Sequence, residues 1–198
     1  MPIKLGSNGL SAIYQGTNKI TAIYKGSDLV YQSYVDPFIA LIERTITSLD
    51  NELVQNISTI GSYSFYNCKN LTNVTMGNNI TSISTYAFYG CSNLKYITFS
   101  SSLKEVLPYS FFNCTSLSSI TLPSTLTHIY SNAFYGCSQL TEIKIEASVP
   151  PTLENVSAIS TATTKIYVPT SSVSAYETAN IWKDLLTRTT NPVTFVGY

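Results

Sequence analysis

Four cysteines stand at a constant interval of 23 in the numbering of this chain: Cys68, Cys91, Cys114 and Cys137. Several sets of apolar residues keep the same step. They are Phe65, Phe88, Phe111 and Phe134; Leu71, Leu94, Leu117 and Leu140; Val74, Ile97, Ile120 and Ile143; Met76, Phe99, Leu122 and Ile145; Ile80, Leu103, Leu126 and Val149; Ile60, Ile83, Val106 and Ile129. Such a periodicity predicts stacked, similar units rather than one irregular core.

Within each unit the apolar spacing shortens to every second position, as in Leu71-x-x-Val74-x-Met76. Alternation of this kind indicates a short strand with every second side chain pointing inward. One unit cannot bury its own apolar row, whereas stacked units enclose a continuous one. We therefore expect a β-rich α+β fold, a short solenoid with a parallel sheet on one side and tighter turns on the other. Because neighbouring strands lie about 4.8 Å apart, a few coils make a solenoid that is short along its axis. We expect a capping segment to cover each of its two ends.

An N-terminal cap is predicted just before the repeats. Asp36 is a suitable N-cap residue and Pro37 suits the first helical position. Phe38, Leu41 and Ile42 then fall on one helical face. We expect a short helix from Pro37 to Arg44, followed by an irregular first strand from Thr45 to Leu49.

A C-terminal cap is predicted after Pro150-Pro151, which ends the regular array because proline cannot donate to a strand ladder. Lys165 to Val168 should form a strand. Thr170 or Ser171 should then cap a helix. The apolar residues expected to cover the last coil are Val173, Tyr176, Ala179, Trp182, Leu185 and Leu186.

The repeat is similar to a known class. Ala87-Phe88-Tyr89-Gly90-Cys91-Ser92-Asn93-Leu94 and Ala133-Phe134-Tyr135-Gly136-Cys137 resemble the BspA-like leucine-rich repeats, and Ile60 to Cys68 fits the same consensus. Residues Ile166 to Trp182 resemble the terminal module that often follows such repeats. The resemblance covers roughly residues 37–186 and implies a curved binding scaffold of bacterial cell surfaces, of gut-associated bacteria and their phages, and of some protists. It implies no particular ligand.

Residues 1–35 carry a different repeat, with a step of ten. Gly6, Gly16 and Gly26 are each followed by Ser or Thr and then Asn or Asp, which is turn chemistry. Ala12-Ile13-Tyr14 and Ala22-Ile23-Tyr24 favour strands. The segment predicts a small β-meander of three or four strands, and it resembles Ile-Tyr-x-Gly tandem modules of phage structural proteins. We thus divide the chain into an anchoring module at 1–35, the solenoid at 36–150 and a capping module at 151–198.

Charge and composition restrict the partners. The formal net charge is zero and only 11% of the residues are charged. A neutral chain with no basic patch is not expected to bind nucleic acid or to insert into a membrane. We expect no secretory signal at the N-terminus and no membrane-spanning helix, since no apolar stretch reaches the roughly 20 residues that span a bilayer. We expect no cofactor.

Residues with possible chemistry are few. The cysteines occupy one equivalent position per coil, so packed free thiols are favoured over disulfides, and a linear stack cannot surround a zinc ion. His128 is expected to be exposed and solvated, since no nucleophile and base accompany it. Glu142 and Glu146 could serve as a glycosidase pair, a remote alternative because both lie in the last repeat. We expect no catalytic residues, no metal site and no enzyme activity.

Two surfaces could bind a ligand. Tyr66, Tyr89, Phe112 and Tyr135 form one aromatic column, with Tyr63, Tyr86 and Tyr109 in another. Such columns could stack on sugars or form an interface, although filling the turns of the solenoid is the simpler role. Alternate strand positions place polar residues on the open face of the sheet, which is either a ligand platform or solvated surface. They are Asn73, Thr75, Tyr96, Thr98, Ser119, Thr121, Glu142 and Lys144.

These observations lead to three functional hypotheses. The first is a virion decoration or adhesion protein of a phage head or tail, on the virion surface in multiple copies. It would attach to other virion proteins through residues 1–35 and bind a host-surface or mucosal glycan or protein through the solenoid. The second is a bacterial cell-surface adhesin of the BspA type. The remote third is a glycan hydrolase.

Overall fold

A computed structural model describes residues 3–5, 10–14, 20–25, 28–32, 48–49 and 58–198. At the N-terminal end, four strands pair antiparallel in chain order. They are β1 (Ile3–Leu5), β2 (Leu10–Tyr14), β3 (Ile20–Lys25) and β4 (Asp28–Gln32). The predicted meander is thus confirmed, and Gly6, Gly16 and Gly26 stand in sequence between its consecutive strands.

The repeats form five coils, and each coil supplies one strand to each of two parallel sheets. Sheet one contains β5 (Ser48–Leu49), β7 (Asn73–Thr75), β9 (Tyr96–Thr98), β11 (Ser119–Leu122) and β13 (Glu142–Ile145). Sheet two contains β6 (Thr59–Ile60), β8 (Ser82–Ile83), β10 (Glu105–Val106), β12 (His128–Ile129) and β14 (Thr152–Leu153). The solenoid with a parallel sheet is confirmed, and the second sheet is a feature that the sequence analysis had assigned to turns.

Strand register follows the sequence repeat. Asn73 pairs with Tyr96, and Ser119 pairs with Glu142, so the register of both pairs equals the repeat step of 23. A constant step between parallel neighbours places equivalent side chains above one another, alternately inward and outward. The ladder of sheet one is interrupted once, because no strand pairing joins β9 to β11.

Phenylalanine rings form the centre of the core. Phe65, Phe88, Phe111 and Phe134 stack with centroid distances of 5.0, 5.1 and 5.3 Å and nearly parallel planes. These side chains are buried, as are the cysteines and the leucines of the repeat. The predicted apolar column is confirmed, and the many dispersion contacts along it hold neighbouring coils together.

The prediction that Val149 points inward is wrong. Val149 is 76% exposed, whereas Ile80, Leu103 and Leu126 are buried. His128 pairs with Thr152, so the step from β12 to β14 is longer by a single residue than the repeat step. The extra residue lies between Ile145 and Thr152, and in this segment Ala147 is buried instead of Val149.

Four of the five coils are joined to the next by a turn with two residues of positive φ. The second of them is Asn67 or Asn113 in some coils and Gly90 or Gly136 in others, with φ between 56° and 74°. Asn and Gly are the residues that adopt this left-handed conformation most readily. The Asn67 side chain lies over Gly90, and that of Asn113 lies over Gly136.

The C-terminal segment extends sheet one and covers the last coil. Strand β15 (Lys165–Val168) pairs with β13, and β16 (Thr194–Gly197) pairs with β15. Two short helices, α1 (Val173–Thr178) and α2 (Trp182–Leu186), connect them. The predicted strand and helix are confirmed, while β16 was not predicted.

Hydrogen bonds fasten this cap to the array. The Tyr176 hydroxyl donates to the carbonyl of Ala147 over 2.8 Å, and Trp182 Nε1 donates to that of Pro151 over 2.7 Å. The predicted capping by Thr170 or Ser171 is wrong. Residues Thr170–Ser172 form a 3₁₀ turn, the helix begins at Val173, and the Thr170 hydroxyl donates to the carbonyl of Tyr198.

Two expectations concern other parts of the chain. The predicted helix Pro37–Arg44 lies outside the described residues, as does most of the expected first strand, of which only Ser48–Leu49 is described. Neither α1 nor α2 is long and apolar enough to cross a bilayer, and the same holds for all residues that the structure describes.

Candidate binding surfaces

The outward face of sheet one contains the eight polar positions predicted as a ligand platform. Strand β11 shows the alternation, with Ser119 and Thr121 exposed and Ile120 and Leu122 buried. In the earlier coils the outward residues are uncharged and exposed, while Glu142 and Lys144 in β13 are half-buried. The structure therefore brings the predicted residues together in two parallel rows, Asn73, Tyr96, Ser119 and Glu142 in one and Thr75, Thr98, Thr121 and Lys144 in the other.

Charged groups on this face pair with one another at its C-terminal end. Lys165 Nζ lies 3.5 Å from Glu142 Oε1, and Lys144 Nζ lies 3.5 Å from Glu146 Oε1. Lys144 Nζ also sits 4.1 Å from the centroid of the Tyr198 ring. Glu142 and Glu146, the two carboxylates of the alternative glycosidase hypothesis, are thus each paired with a lysine. The face therefore presents little unbalanced charge.

Lys165 continues one row and was missed by the sequence analysis. It pairs with Glu142 in the register of β13 and β15, one further repeat step along the chain. Tyr167 continues the other row and its hydroxyl lies 3.4 Å from Glu142 Oε1. The same step of 23 would have identified both residues.

Tyr96 is the most prominent side chain of the face. The residue is 68% exposed, and its row neighbours are the smaller Asn73 and Ser119. Beside it the break between β9 and β11 leaves Ile97 only partly buried, although Val74, Ile120 and Ile143 in equivalent positions are buried. A shallow groove opens there, lined by Asn78, Ile97, Thr98, Phe99, Ser101, Thr121, Pro123 and Glu146. No sequence pattern signals this opening.

The aromatic columns form a second surface, which we call the aromatic ribbon. Tyr66, Tyr89, Phe112 and Tyr135 stack at centroid distances of 4.9, 4.9 and 5.5 Å. Tyr63, Tyr86 and Tyr109 stack beside them at 4.9 and 5.0 Å. Both predicted columns are therefore real. Because the faces of the interior rings are covered by neighbouring rings, those rings are poorly placed to stack on sugars.

The ribbon also holds its tyrosines in an unusual backbone conformation. Tyr63, Tyr86 and Tyr109 have φ of 60°, 60° and 58°. Positive φ is strained for bulky residues, and the rings of these three tyrosines stack on one another. Partial burial, together with the neighbouring hydroxyls of Tyr63 and Tyr109, raises the pKa of Tyr86 above its ordinary value.

Sheet two carries the one histidine of the chain, and it is half-buried rather than fully exposed as predicted. His128 Nδ1 lies 3.0 Å from the Thr127 hydroxyl, and its ring packs against Tyr130. Burial and the nearby carboxylates of Glu105 and Glu154 raise the pKa of Tyr130. Throughout the described part of the chain, no group of three His, Cys, Asp or Glu residues could hold a metal ion.

The four cysteines are reduced thiols, and all are fully buried. The thiols of Cys91, Cys114 and Cys137 donate to the carbonyls of Phe65, Phe88 and Phe111, one coil back, over 3.0 to 3.2 Å. Burial raises the pKa of the Cys114 thiol, and the neighbouring Cys137 raises it further. These groups join coils and are not exposed to react.

Comparison with known proteins agrees with this architecture. The BspA type leucine rich repeat region matches residues 45–177 in six copies, and no curated protein matches the sequence. A Treponema pallidum leucine rich repeat protein, TpLRR, has 23% identity and a TM-score of 0.53 over 58% of this chain and 53% of its own. The pneumococcal vaccine antigen PcpA has 16% identity and a TM-score of 0.58 over 89% of this chain and 46% of its own.

These two structures show the fold alone, and this chain spans about half the length of each. The family match carries more weight, because it covers most of the sequence and includes the coils seen in the structure. The chain belongs to the BspA type leucine-rich repeat family.

Proposed function

We propose that the chain is a non-enzymatic binding protein that acts in adhesion, with the outward face of sheet one as its binding surface. The observation that carries the proposal is the alignment of exposed polar side chains in two rows, from Asn73 and Thr75 to Ser119 and Thr121. Such aligned rows on a rigid solenoid form an extended recognition surface. Proteins of this family generally serve as binding scaffolds.

We place this protein on the bacterial cell surface, where BspA-like proteins are typically found. Intact cells of the source bacterium, treated with external protease, should lose the protein while a cytosolic control enzyme stays intact. Full protection of the protein would contradict the placement.

A second candidate is display on a phage virion. It is favoured by the repeat with a step of ten and by the four-stranded meander of residues 3–32, which we propose as an attachment module for other virion proteins. The comparisons with known proteins lend this candidate no support. Mass spectrometry of purified virions decides it, since a virion component must be present at a stoichiometry of several copies.

The binding surface is tested with two matched arginine substitutions. Thr121→Arg places a bulky cation on sheet one, and Ser82→Arg places the same group on sheet two. We measure binding of the purified proteins to immobilised mucin and extracellular-matrix proteins. Thr121→Arg should abolish saturable binding and Ser82→Arg should preserve it, with unchanged thermal unfolding in both. Equal behaviour of the two variants would refute the assigned surface.

A further inference from the structure

We infer that the surface around Tyr96 binds an uncharged saccharide. This inference rests on the proposed binding role of sheet one and specifies its ligand class. We define the Tyr96 face as Asn73, Thr75, Tyr96, Thr98, Ser119 and Thr121, together with the adjoining groove. Its elements are a free aromatic ring, a set of hydroxyl and amide groups, and a local absence of unpaired charge.

The ring of Tyr96 differs from those of the aromatic ribbon. In the ribbon, neighbouring rings lie about 5 Å apart and cover one another's faces. Tyr96 stacks on no other ring of the described part of the chain, and it stands above the smaller Asn73 and Ser119. A flat, accessible π face is what the C–H side of a pyranose ring packs against, because both surfaces are apolar and planar.

The polar groups next to Tyr96 are suited to hydrogen bonds with the hydroxyl groups at the edge of a sugar ring. Thr98 follows on the same outward face of β9, between Thr75 and Thr121. Hydroxyl groups both donate and accept hydrogen bonds, as sugar hydroxyls do, and the amides of Asn73 and Asn78 add further donors and acceptors. Strand-to-strand spacing of about 4.8 Å is similar to the length of one sugar unit. Successive coils can therefore meet successive sugars.

A groove lies where the strand pairing between β9 and β11 is interrupted, and it gives the binding surface depth. The groove there has apolar walls from Ile97, Phe99 and Pro123, with Thr98 and Thr121 at its edge. A small number of polar groups around an apolar surface is the usual composition of a small-molecule site. Tyr96 does not line the groove, but Thr98 and Thr121 of the Tyr96 face do, so a saccharide that covers this face also reaches the groove.

Charge distinguishes a neutral saccharide from an acidic one. Glu146 at the groove is paired with Lys144, and Lys144 also lies over the Tyr198 ring. The Tyr96 face itself contains no cation that could neutralise a sulfate or carboxylate. A sulfated or sialylated glycan would lose solvation there without gaining a partner.

The test uses the full chain and a panel of neutral tetrasaccharides built from glucose, galactose or N-acetylhexosamine, with sulfated counterparts. Titration is followed by the ring resonances of Tyr96 and by calorimetry. We expect at least one neutral tetrasaccharide to shift the Tyr96 resonances, and no sulfated counterpart to bind more tightly. Tyr96→Ala should weaken binding by about tenfold or more, because the apolar contact between the aromatic ring and the sugar is lost. Tyr96→Phe should retain it.

Val149→Ala is the matched control, since it removes an exposed apolar side chain outside the Tyr96 face and should leave binding unchanged. Any of three results would overturn the inference: a preference for sulfated sugars, undiminished binding by the Tyr96→Ala variant, or no binding of any neutral tetrasaccharide. The test also distinguishes failure of this inference from failure of the proposed function. If the chain binds deglycosylated matrix proteins through sheet one but no sugar, only the saccharide inference is lost, whereas binding to neither removes both.

Discussion

The rings of Phe88 and Phe111 lie 5.1 Å apart with their planes inclined by only 5°. Residues one repeat step apart in sequence thus become direct neighbours in the core. The array is held together by such contacts between coils, so the consequences of a substitution depend on whether its side chain belongs to the buried column or to the outward rows.

Truncation of the phenylalanine column should be costly. Phe88→Ala removes a fully buried ring that contacts Phe65 on one side and Phe111 on the other. We expect a loss of about 3–5 kcal/mol in the free energy of unfolding, because the cavity cannot close between rigid coils. Urea denaturation measures it. Thr98→Ala, on the outward face, should change the value by less than about 0.5 kcal/mol. Similar losses for the two variants would contradict the assigned rows.

Ser110→Ala should stabilise the protein or leave it unchanged. The Ser110 hydroxyl is buried without a hydrogen-bond partner, and the equivalent residues Ala87 and Ala133 have no hydroxyl. Relief of an unsatisfied polar group is worth about 1 kcal/mol. The control is Ser64→Ala, which removes a 2.7 Å hydrogen bond to the Gly61 carbonyl and should destabilise. Destabilisation by Ser110→Ala would indicate an unrecognised partner, such as a buried water molecule.

Gly90→Ala should destabilise through two separable effects. Gly90 has φ of 70°, and a Cβ atom there would collide with Asn67 Oδ1. Backbone strain in this conformation costs about 1 kcal/mol for an alanine, and the steric clash adds to it. A double-mutant cycle with Asn67→Gly isolates the clash by thermal and urea unfolding. We expect a part of the loss to be recovered in the double variant. Strict additivity would mean that backbone strain alone is responsible.

The thiols should be unreactive in the folded protein. All four cysteines are completely buried, and burial raises the pKa of Cys114, which lowers its thiolate fraction. Iodoacetamide at mildly alkaline pH should therefore leave the native protein unmodified and label every cysteine above the urea midpoint. Mass spectrometry counts the labels. Rapid labelling of one cysteine without urea would reveal a coil that opens locally.

Glu154 should give a small pH dependence of stability. The hydroxyl and the backbone amide of Ser131 donate to its carboxylate over 2.7 and 2.6 Å, and they lower its pKa below the ordinary value. With the folded pKa depressed, the contribution is fully present above the ordinary carboxyl pKa and is lost as pH falls through the folded one. Solvent exposure keeps it modest. The difference in urea midpoint between wild type and Glu154→Gln should shrink on acidification, and a constant difference would exclude this cause.

The stacked core could be predicted because a constant step and parallel strands place equivalent residues together. Phe65 lies on Phe88, and Asn73 lies beside Tyr96, as the step of 23 requires. The residues of the candidate binding face could be predicted by the same reasoning, since alternate positions of a strand point to the same side.

Very short strands and irregular features could not be predicted. Sheet two consists of very short strands such as Ser82–Ile83, in which alternation cannot be seen. Strand β16 follows two helices and has no place in the step of 23. The exposure of Val149 depends on a single additional residue, and the groove beside Tyr96 depends on an interruption of hydrogen bonding between β9 and β11. Both are properties of packing rather than of residue type.

The contact of Asn67 with Gly90, repeated between Asn113 and Gly136, implies that the coils come in two kinds. Ser-Phe-Tyr-Asn-Cys and Ser-Phe-Phe-Asn-Cys at 64–68 and 110–114 alternate with Ala-Phe-Tyr-Gly-Cys at 87–91 and 133–137, so these turn positions repeat every two coils. Deleting one coil would bring two asparagines into collision, and deleting the next would leave two glycines across a gap. The turns of a shortened or lengthened array should therefore stay matched only when coils are removed or added in pairs.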